Sequence, residues 1–221
     1  MNKVPMVIGF PRCGNHFLKF LLEKYFNRIG LGTGGLGVKG HPTDFMWIYD
    51  HDHGRVLPSF DKVLYLYRVP VSVISSLVYI EKERPKRKVH TRNCSYEEVI
   101  IVLANLYKEH LKKYLINYPN KVFAMRYEKL LSNEKYDEFE IACNYFSTTI
   151  DRNKFDNTYK IATKTAVIRN RNNAYYGNYL LSDEYAKYKL NFRKKYVNMI
   201  NDIIFTTNKL DQFFYKQALI E

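Results

Sequence analysis

The segment Gly9-Phe10-Pro11-Arg12-Cys13-Gly14-Asn15-His16 carries the sharpest chemical signal in the chain. Its two glycines stand in the G-x-x-x-x-G spacing of a phosphate-binding loop. Glycines let the backbone turn tightly and aim its N–H groups inward, and a helix N-terminus behind them adds positive potential. An anionic group fits there. In a nucleoside triphosphatase the second glycine is followed by Lys and then Ser or Thr, which hold the phosphates and Mg²⁺. Here those positions are Asn15 and His16, and the cation sits inside the loop as Arg12. The pattern disfavours a magnesium-dependent ATPase or kinase. The alternative is a strand-to-helix turn with no ligand.

Elements of the right kind flank this loop. Val4 to Phe10 reads as a short buried strand. Asn15 to Arg28 reads as a helix, with a broad apolar face that includes Phe17, Leu18, Leu21 and Leu22. Gly30 to Gly40 holds six glycines and reads as a loop, with Val38 and Lys39 opening a short strand. Lys62 to Tyr67 is the clearest strand, and Pro70 suits the first turn of a helix to about Ile80. Glu81 to Arg92 is charged and reads as a loop. Ser95 with Glu98 matches a capping box that starts a helix to about Asn117. Lys121 to Arg126 is a third strand. Asn133 to Ser147 and Ser182 to the C-terminus read as helical. Strands alternating with helices predict an α/β fold whose central parallel sheet is flanked by helices, with a helical C-terminal part. No linker or repeat divides residues 1–221, so one domain is expected.

The net charge of +13 calls for an anionic partner: phosphate, sulfate, nucleic acid or acidic glycan. A Lys-rich composition without function is the alternative. The chain has 20 tyrosines, whose apolar bodies and polar tips suit the rim of a core or a cleft. Cys13, Cys94 and Cys143 are odd in number and show no CxxC, so neither a disulfide framework nor a zinc site is indicated. A reducing, cytoplasmic location follows as the expectation. No apolar run approaches the roughly 20 residues that span a bilayer, and the N-terminal run is too short for a signal peptide.

The Gly9–His16 loop resembles the 5′-phosphosulfate loop of sulfotransferases that use 3′-phosphoadenosine 5′-phosphosulfate (PAPS), whose pattern is Pro-Lys-Ser-Gly-Thr-Thr-Trp. Arg12 stands for the Lys and Cys13 for the Ser. Gly14 is retained, Asn15 and His16 replace the two Thr, and Phe17 replaces the Trp. Arg12 is always charged, so it can stabilise developing negative charge but cannot give up a proton. Cys13 is a weaker donor than Ser. The resemblance implies a P-loop NTPase-like fold, PAPS as donor and the bisphosphate PAP as product.

A second segment, Tyr65 to Ser76, is similar to the family's strand ending in Arg-Asn-Pro-x-Asp with a Ser eight residues after the Arg. Arg68, Pro70 and Ser76 fall in register, while Val69 and Ser72 depart from the Asn and the Asp. The resemblance implies that Arg68 and Ser76 bind the cofactor's 3′-phosphate. Arg68 at a strand's carboxyl end also suits the crevice where α/β folds bind ligands. Tyr127, in Tyr127-Glu128-Lys129-Leu130, matches a family Tyr-Glu-x-Leu whose Tyr lies close to the adenine; a core or rim tyrosine is the alternative. Arg169 to Tyr179 loosely resembles a C-terminal basic motif that grips the 3′-phosphate, and only Arg169 or Arg171 is carried over from it.

Transfer to a hydroxyl needs a base, and His suits that role near neutral pH. The family places its base in Lys-Thr-His-x-Pro, which Val38-Lys39-Gly40-His41-Pro42 resembles, so His41 is the expected base. His51-Asp52-His53 lacks a further ligand to complete a metal site and reads as a solvated loop. His16 stands inside the phosphate loop, where it could meet the phosphosulfate directly. The implied reaction is in-line sulfuryl transfer to a hydroxyl or amine, with no metal required by the residues present. The acceptor is a small molecule or a glycan. Lys82, Arg84, Lys86, Arg87, Lys88 and Arg92 would attract an anionic one, unless they are solvated surface. Competing readings are a P-loop nucleotide or small-molecule kinase, a basic nucleic-acid-binding domain and a PAP-binding protein without activity. No RNP, zinc or helix-turn-helix pattern supports nucleic-acid binding.

Overall fold

The computed structural model of the chain describes residues 5–32, 46–52, 60–83, 93–172, 182–206 and 209–218, with the backbone alone for 165–172 and 215–218. Among the described residues five strands form one parallel sheet: β1 (Met6–Gly9), β2 (Gly30–Gly32), β3 (Trp47–Asp50), β4 (Val63–Tyr67) and β5 (Val122–Arg126). Their order is β2-β3-β1-β4-β5. β1 is therefore central, pairing Met6 with Ile48 on one side and with Val63 on the other. The chain winds out to one edge and then crosses to the other. Ligands in such sheets bind outside the carboxyl ends of the strands where the winding reverses.

Helices α1 (Asn15–Phe26), α2 (Pro70–Val78), α3 (Tyr96–Leu111), α4 (Tyr127–Leu130), α5 (Lys135–Tyr145), α6 (Arg152–Asn172), α7 (Asp183–Phe205) and α8 (Asp211–Ala218) connect or follow the strands. Wider π turns extend α2 through Tyr79–Glu83 and α3 through Lys112–Asn117. Every residue of β1 and β4 is buried, so side chains that alternate between the faces are covered on both. This is the α/β architecture expected from the alternation of strands and helices.

The chain packs as two compact units. One comprises Met1–Tyr67 and Asn120–Asn178, and it holds the sheet with α1, α4, α5 and α6. The other comprises Arg68–Pro119 and Tyr179–Glu221, and it holds α2, α3, α7 and α8.

Local chemistry explains several boundaries. Pro70 opens α2, where its missing N–H costs nothing. Ser95 Oγ accepts the Glu98 N–H at 3.1 Å, and Glu98 Oε2 accepts the Ser95 N–H at 2.6 Å, closing the expected capping box. Several elements differ from expectation, among them the short helix Tyr127–Leu130 and the π turn that carries α2 on through Glu83. Gly30–Gly32 is a strand, not the start of a loop. Trp47–Asp50 is a strand that the alternation of polar and apolar residues does not announce. Residues 152–172 form a long helix, and among its described side chains the buried ones form a narrow stripe of Phe155, Thr158 and Ala162.

Candidate active site

The Gly9–His16 loop leaves the carboxyl end of central β1 and enters α1, as the sequence predicts. Phe10-Pro11-Arg12-Cys13 is a turn closed by the Cys13 N–H donating to the Phe10 carbonyl at 3.1 Å. Pro11 takes its second position. Arg12 takes the third at φ 73°, where a type II turn ordinarily places glycine. Gly14 follows at φ 96° and forms the N-cap of α1 without a side-chain cap. Two left-handed residues flank Cys13, an alternation that resembles a nest, the backbone shape that can turn N–H groups toward an anion, while the Cys13 N–H itself is taken by the Phe10 carbonyl.

The loop's side chains lock that shape. The Asn15 amide donates to the Gly9 carbonyl at 2.8 Å and to the Phe10 carbonyl at 2.9 Å. A Cβ at Gly9 would lie 2.0 Å from Asn15 Oδ1, so the glycine is required by its neighbour's packing. A Cβ at Gly14 would lie 2.2 Å from the Tyr127 ring. Phe17 is buried between two aromatic edges, Tyr127 at 6.3 Å and Tyr159 at 5.7 Å between centroids. Cys13 is fully buried, Arg12 half-buried and His16 exposed on the first turn of α1.

His51, set aside in the sequence as part of a solvated loop, stands against this loop. It follows β3, the neighbour of β1. Its Nδ1 lies 2.8 Å from the Gly9 carbonyl oxygen and 3.0 Å from Asn15 Nδ2. A carbonyl only accepts, so the pairing with Gly9 has the His51 Nδ1 carry the hydrogen. Asp50 fixes the approach by accepting the Asp52 N–H at 2.6 Å, with Asp52 at φ 48°.

Tyr127 is held from behind. It begins α4 directly after β5, whose last residue, Arg126, donates its N–H to Glu138 Oε1 of α5. Glu138 is 5% exposed. Burial pushes its carboxyl up to about 7, against the lowering effects of the Arg126 N–H and the Lys129 and Arg126 charges; Glu134 adds to the rise. Burial chiefly, with Glu138 nearby, likewise raises the Tyr67 phenol at the end of β4.

In the helical unit, Arg68 directly follows β4 in the chain and is half-buried; Ser76, two turns into α2, is 3% exposed. The Tyr107 hydroxyl of α3 accepts the Arg68 N–H at 3.0 Å and donates to the Arg68 carbonyl at 2.7 Å. Tyr107 carried no signal in the sequence beyond its apolar helical spacing. Ser75 donates to the Ser72 carbonyl at 3.2 Å, and Tyr188 of α7 donates to the Ser75 carbonyl at 3.3 Å. His41 and His53 lie outside the described residues. Arg169 and Arg171 lie on the last turns of α6, where the backbone alone is described. Among the described residues no three His, Cys, Asp or Glu side chains group to hold a metal. Cys13, Cys94 and Cys143 are free thiols.

No protein-family model matches this chain, and no curated protein matches it in sequence. In structure it is similar to mouse sulfotransferase SULT7A1 complexed with PAP. The TM-score is 0.62 and the identity 11%, over 96% of this chain and 88% of that one. The chain therefore has a sulfotransferase-like α/β fold. No helix among the described residues is long and apolar enough to cross a membrane.

Proposed function

We propose that this chain is a PAPS-dependent sulfotransferase, transferring a sulfuryl group to a hydroxyl or amine acceptor. The observation that carries the reading is the loop itself: a left-handed Arg12 and Gly14 on the end of the central strand, with the cation inside the turn. The similar mouse sulfotransferase was solved with PAP, which supports the same nucleotide here. The loop also argues against the kinase reading. The position that a triphosphatase gives to its phosphate-binding Lys holds Asn15, whose amide is spent on two carbonyls of the loop. The residues present suit an anionic phosphosulfate, held by nest N–H groups, the start of α1 and Arg12.

Bound PAPS would supply the sulfuryl group, its bond to phosphate breaking as the acceptor's bond to sulfur forms. Arg12 stabilises the charge that develops on the departing phosphate. Asn15 holds the loop's curl, while Gly14 admits the Tyr127 ring toward the adenine. Cys13, His16 and Phe17 complete the 5′ end: Cys13 through its turn, His16 by its exposed ring and Phe17 by packing. Arg68 and Ser76 hold the 3′-phosphate, assisted by Arg169 or Arg171. His41 takes the acceptor's proton. His51 is the second candidate for that proton, favoured by its place on the loop. The acceptor is a small molecule or glycan, with an anionic one favoured by the basic segment 82–92, and the location is cytoplasmic.

A thermal-shift series tests the nucleotide. PAP at 100 times its dissociation constant should add about 2.7 kcal/mol, or roughly 5–10 °C for a chain of this size. AMP, and ATP or GTP with Mg²⁺, should add far less. Equal shifts for PAP and AMP would remove the 3′-phosphate site from the proposal.

A further inference from the structure

Arg68 sits where regular structure gives out. The pairing of β4 with β5 ends at Tyr67 and Arg126. Val69, the next residue but one, is extended at φ −52° and ψ 125° and caps α2 without a side-chain hydrogen bond. Pro70 then begins the helix. Between the last ladder pair and the first helical turn, the Arg68 backbone is bracketed by one hydroxyl. Tyr107 accepts its N–H at 3.0 Å and donates to its carbonyl at 2.7 Å. Tyr107 is fully buried, so this hydroxyl is exchanged for water only by opening the core.

We propose that Tyr107 is a positioning residue for recognition of the cofactor's 3′-phosphate, acting through the backbone of Arg68. The inference rests on the reading of Arg68 as a ligand of that phosphate. A guanidinium binds phosphate by the direction of its planar fork, and that direction is inherited from the Cα–Cβ bond at the start of a long side chain. Tyr107 fixes this bond by holding both polar groups of the Arg68 backbone. It also fixes the point at which α2 starts, and so the spacing from Arg68 to Ser76. The hydroxyl stands in for the neighbouring strand that the ladder no longer provides.

The sheet unit supplies a control. The Tyr145 hydroxyl brackets Met6 in the same manner, accepting its N–H at 2.7 Å and donating to its carbonyl at 2.9 Å. Met6 opens β1, at the opposite end of that strand from the phosphate loop. Removing the Tyr145 hydroxyl removes the equivalent pair of backbone hydrogen bonds, together with a contact to the Lys62 carbonyl at 3.3 Å, but only Tyr107 touches a proposed phosphate ligand.

The test is calorimetric titration of the whole chain with PAP and with AMP, comparing wild type, Tyr107→Phe, Tyr145→Phe and Arg68→Ala. Losing one backbone clamp should weaken PAP about tenfold in Tyr107→Phe while AMP stays within about twofold. Tyr145→Phe should melt earlier and keep the wild-type ratio of PAP to AMP affinity. Arg68→Ala should bring PAP close to AMP. If Arg68→Ala collapses the ratio and Tyr107→Phe leaves it at the wild-type value, the positioning role is wrong and the Arg68 reading survives. If Arg68→Ala leaves the ratio intact, both fall. Hydrogen exchange on the wild-type protein adds a reading that needs no variant: the Arg68 amide should be protected before any nucleotide is added. Exchange at the rate of exposed chain overturns the clamp.

Discussion

In the Gly9–His16 loop the chain braces itself. Asn15 reaches back to the carbonyls of Gly9 and Phe10, His51 pairs with the same Gly9 carbonyl, and two left-handed residues set the curl. The Arg68–Ser76 segment is braced from elsewhere in its own unit. Its backbone is regular or extended, and tyrosines from α3 and α7 hold its carbonyls at Arg68 and Ser75. The first arrangement gathers N–H groups and a cation with little room for change in any side chain. The second hangs a long side chain and a helix from a few hydroxyls. A nest of fixed dipoles suits charge that develops during a reaction. An anchored arginine suits a phosphate whose charge does not change. The loop should therefore govern rate, and the Arg68 segment should govern which nucleotide binds.

The largest effect expected on the loop side is loss of the base. General-base removal costs about 10²–10⁴-fold in rate. His41→Ala should lose that much turnover and leave PAP affinity unchanged, since a base meets the acceptor and not the nucleotide. Parallel rate measurements on His51→Ala sharpen the contrast. A loss confined to His51→Ala would move the base onto the phosphate loop and correct the assignment drawn from the Lys39-Gly40-His41-Pro42 pattern.

Arg12 comes next. Arg12→Ala should lower kcat about 10²–10³-fold with a smaller change in PAP affinity, because in the proposed transfer the guanidinium matters most as the leaving phosphate gains charge. Arg12→Lys should keep most activity. Arg12→Gly separates charge from backbone: glycine removes the left-handed strain at φ 73°, so this variant should be more stable than Arg12→Ala by about 1 kcal/mol while being equally slow. An Arg12→Ala enzyme that turns over normally but binds PAP weakly would reverse the division between rate and affinity.

How far the sequence reveals these regions follows the same division. The loop is legible because the signals that announce it are local, even though His51 and Tyr127 brace it from distant parts of the chain. Gly9 and Gly14 are spaced for a turn, and the strand and helix that flank it have strong apolar periods. Pro70 and the Ser95–Glu98 box are local in the same sense. The missed elements depend on distant partners. Gly30 and Gly32 read as loop residues, yet a Cβ on Gly30 would lie 2.2 Å from the Trp47 indole and one on Gly32 3.1 Å from Tyr49. The edge strand exists because aromatic side chains of β3 occupy the space that its glycines leave. Helix α6 is hidden by its polarity, since among its described side chains a stripe of three buried residues gives a weak 3.6-residue period. The hydroxyls of Tyr107 and Tyr145 act across 39 and 139 residues of chain. Composition announces that tyrosines are plentiful, and only the fold assigns them to backbone groups.

Gly14 gives an effect on stability and the most direct test of self-bracing. Two separate penalties meet there. The backbone stands at φ 96°, which costs an L residue about 1–3 kcal/mol. The space for a Cβ is filled by the Tyr127 ring, 2.2 Å away. Gly14→Ala should therefore lower stability by about 2 kcal/mol, read as a fall of roughly 4–8 °C in Tm. Tyr127→Ala in the Gly14→Ala background removes the collision and leaves the dihedral strain. The double mutant should then lose less stability than the sum of the two single changes, because the Gly14→Ala cost is smaller once the ring is gone. PAP binding should not recover, since the ring proposed to face the adenine is gone and the nest remains strained. Full additivity of the two changes would mean that the ring moves aside freely. The loop would then be shaped by its backbone alone, and Tyr127 would be a bystander to it.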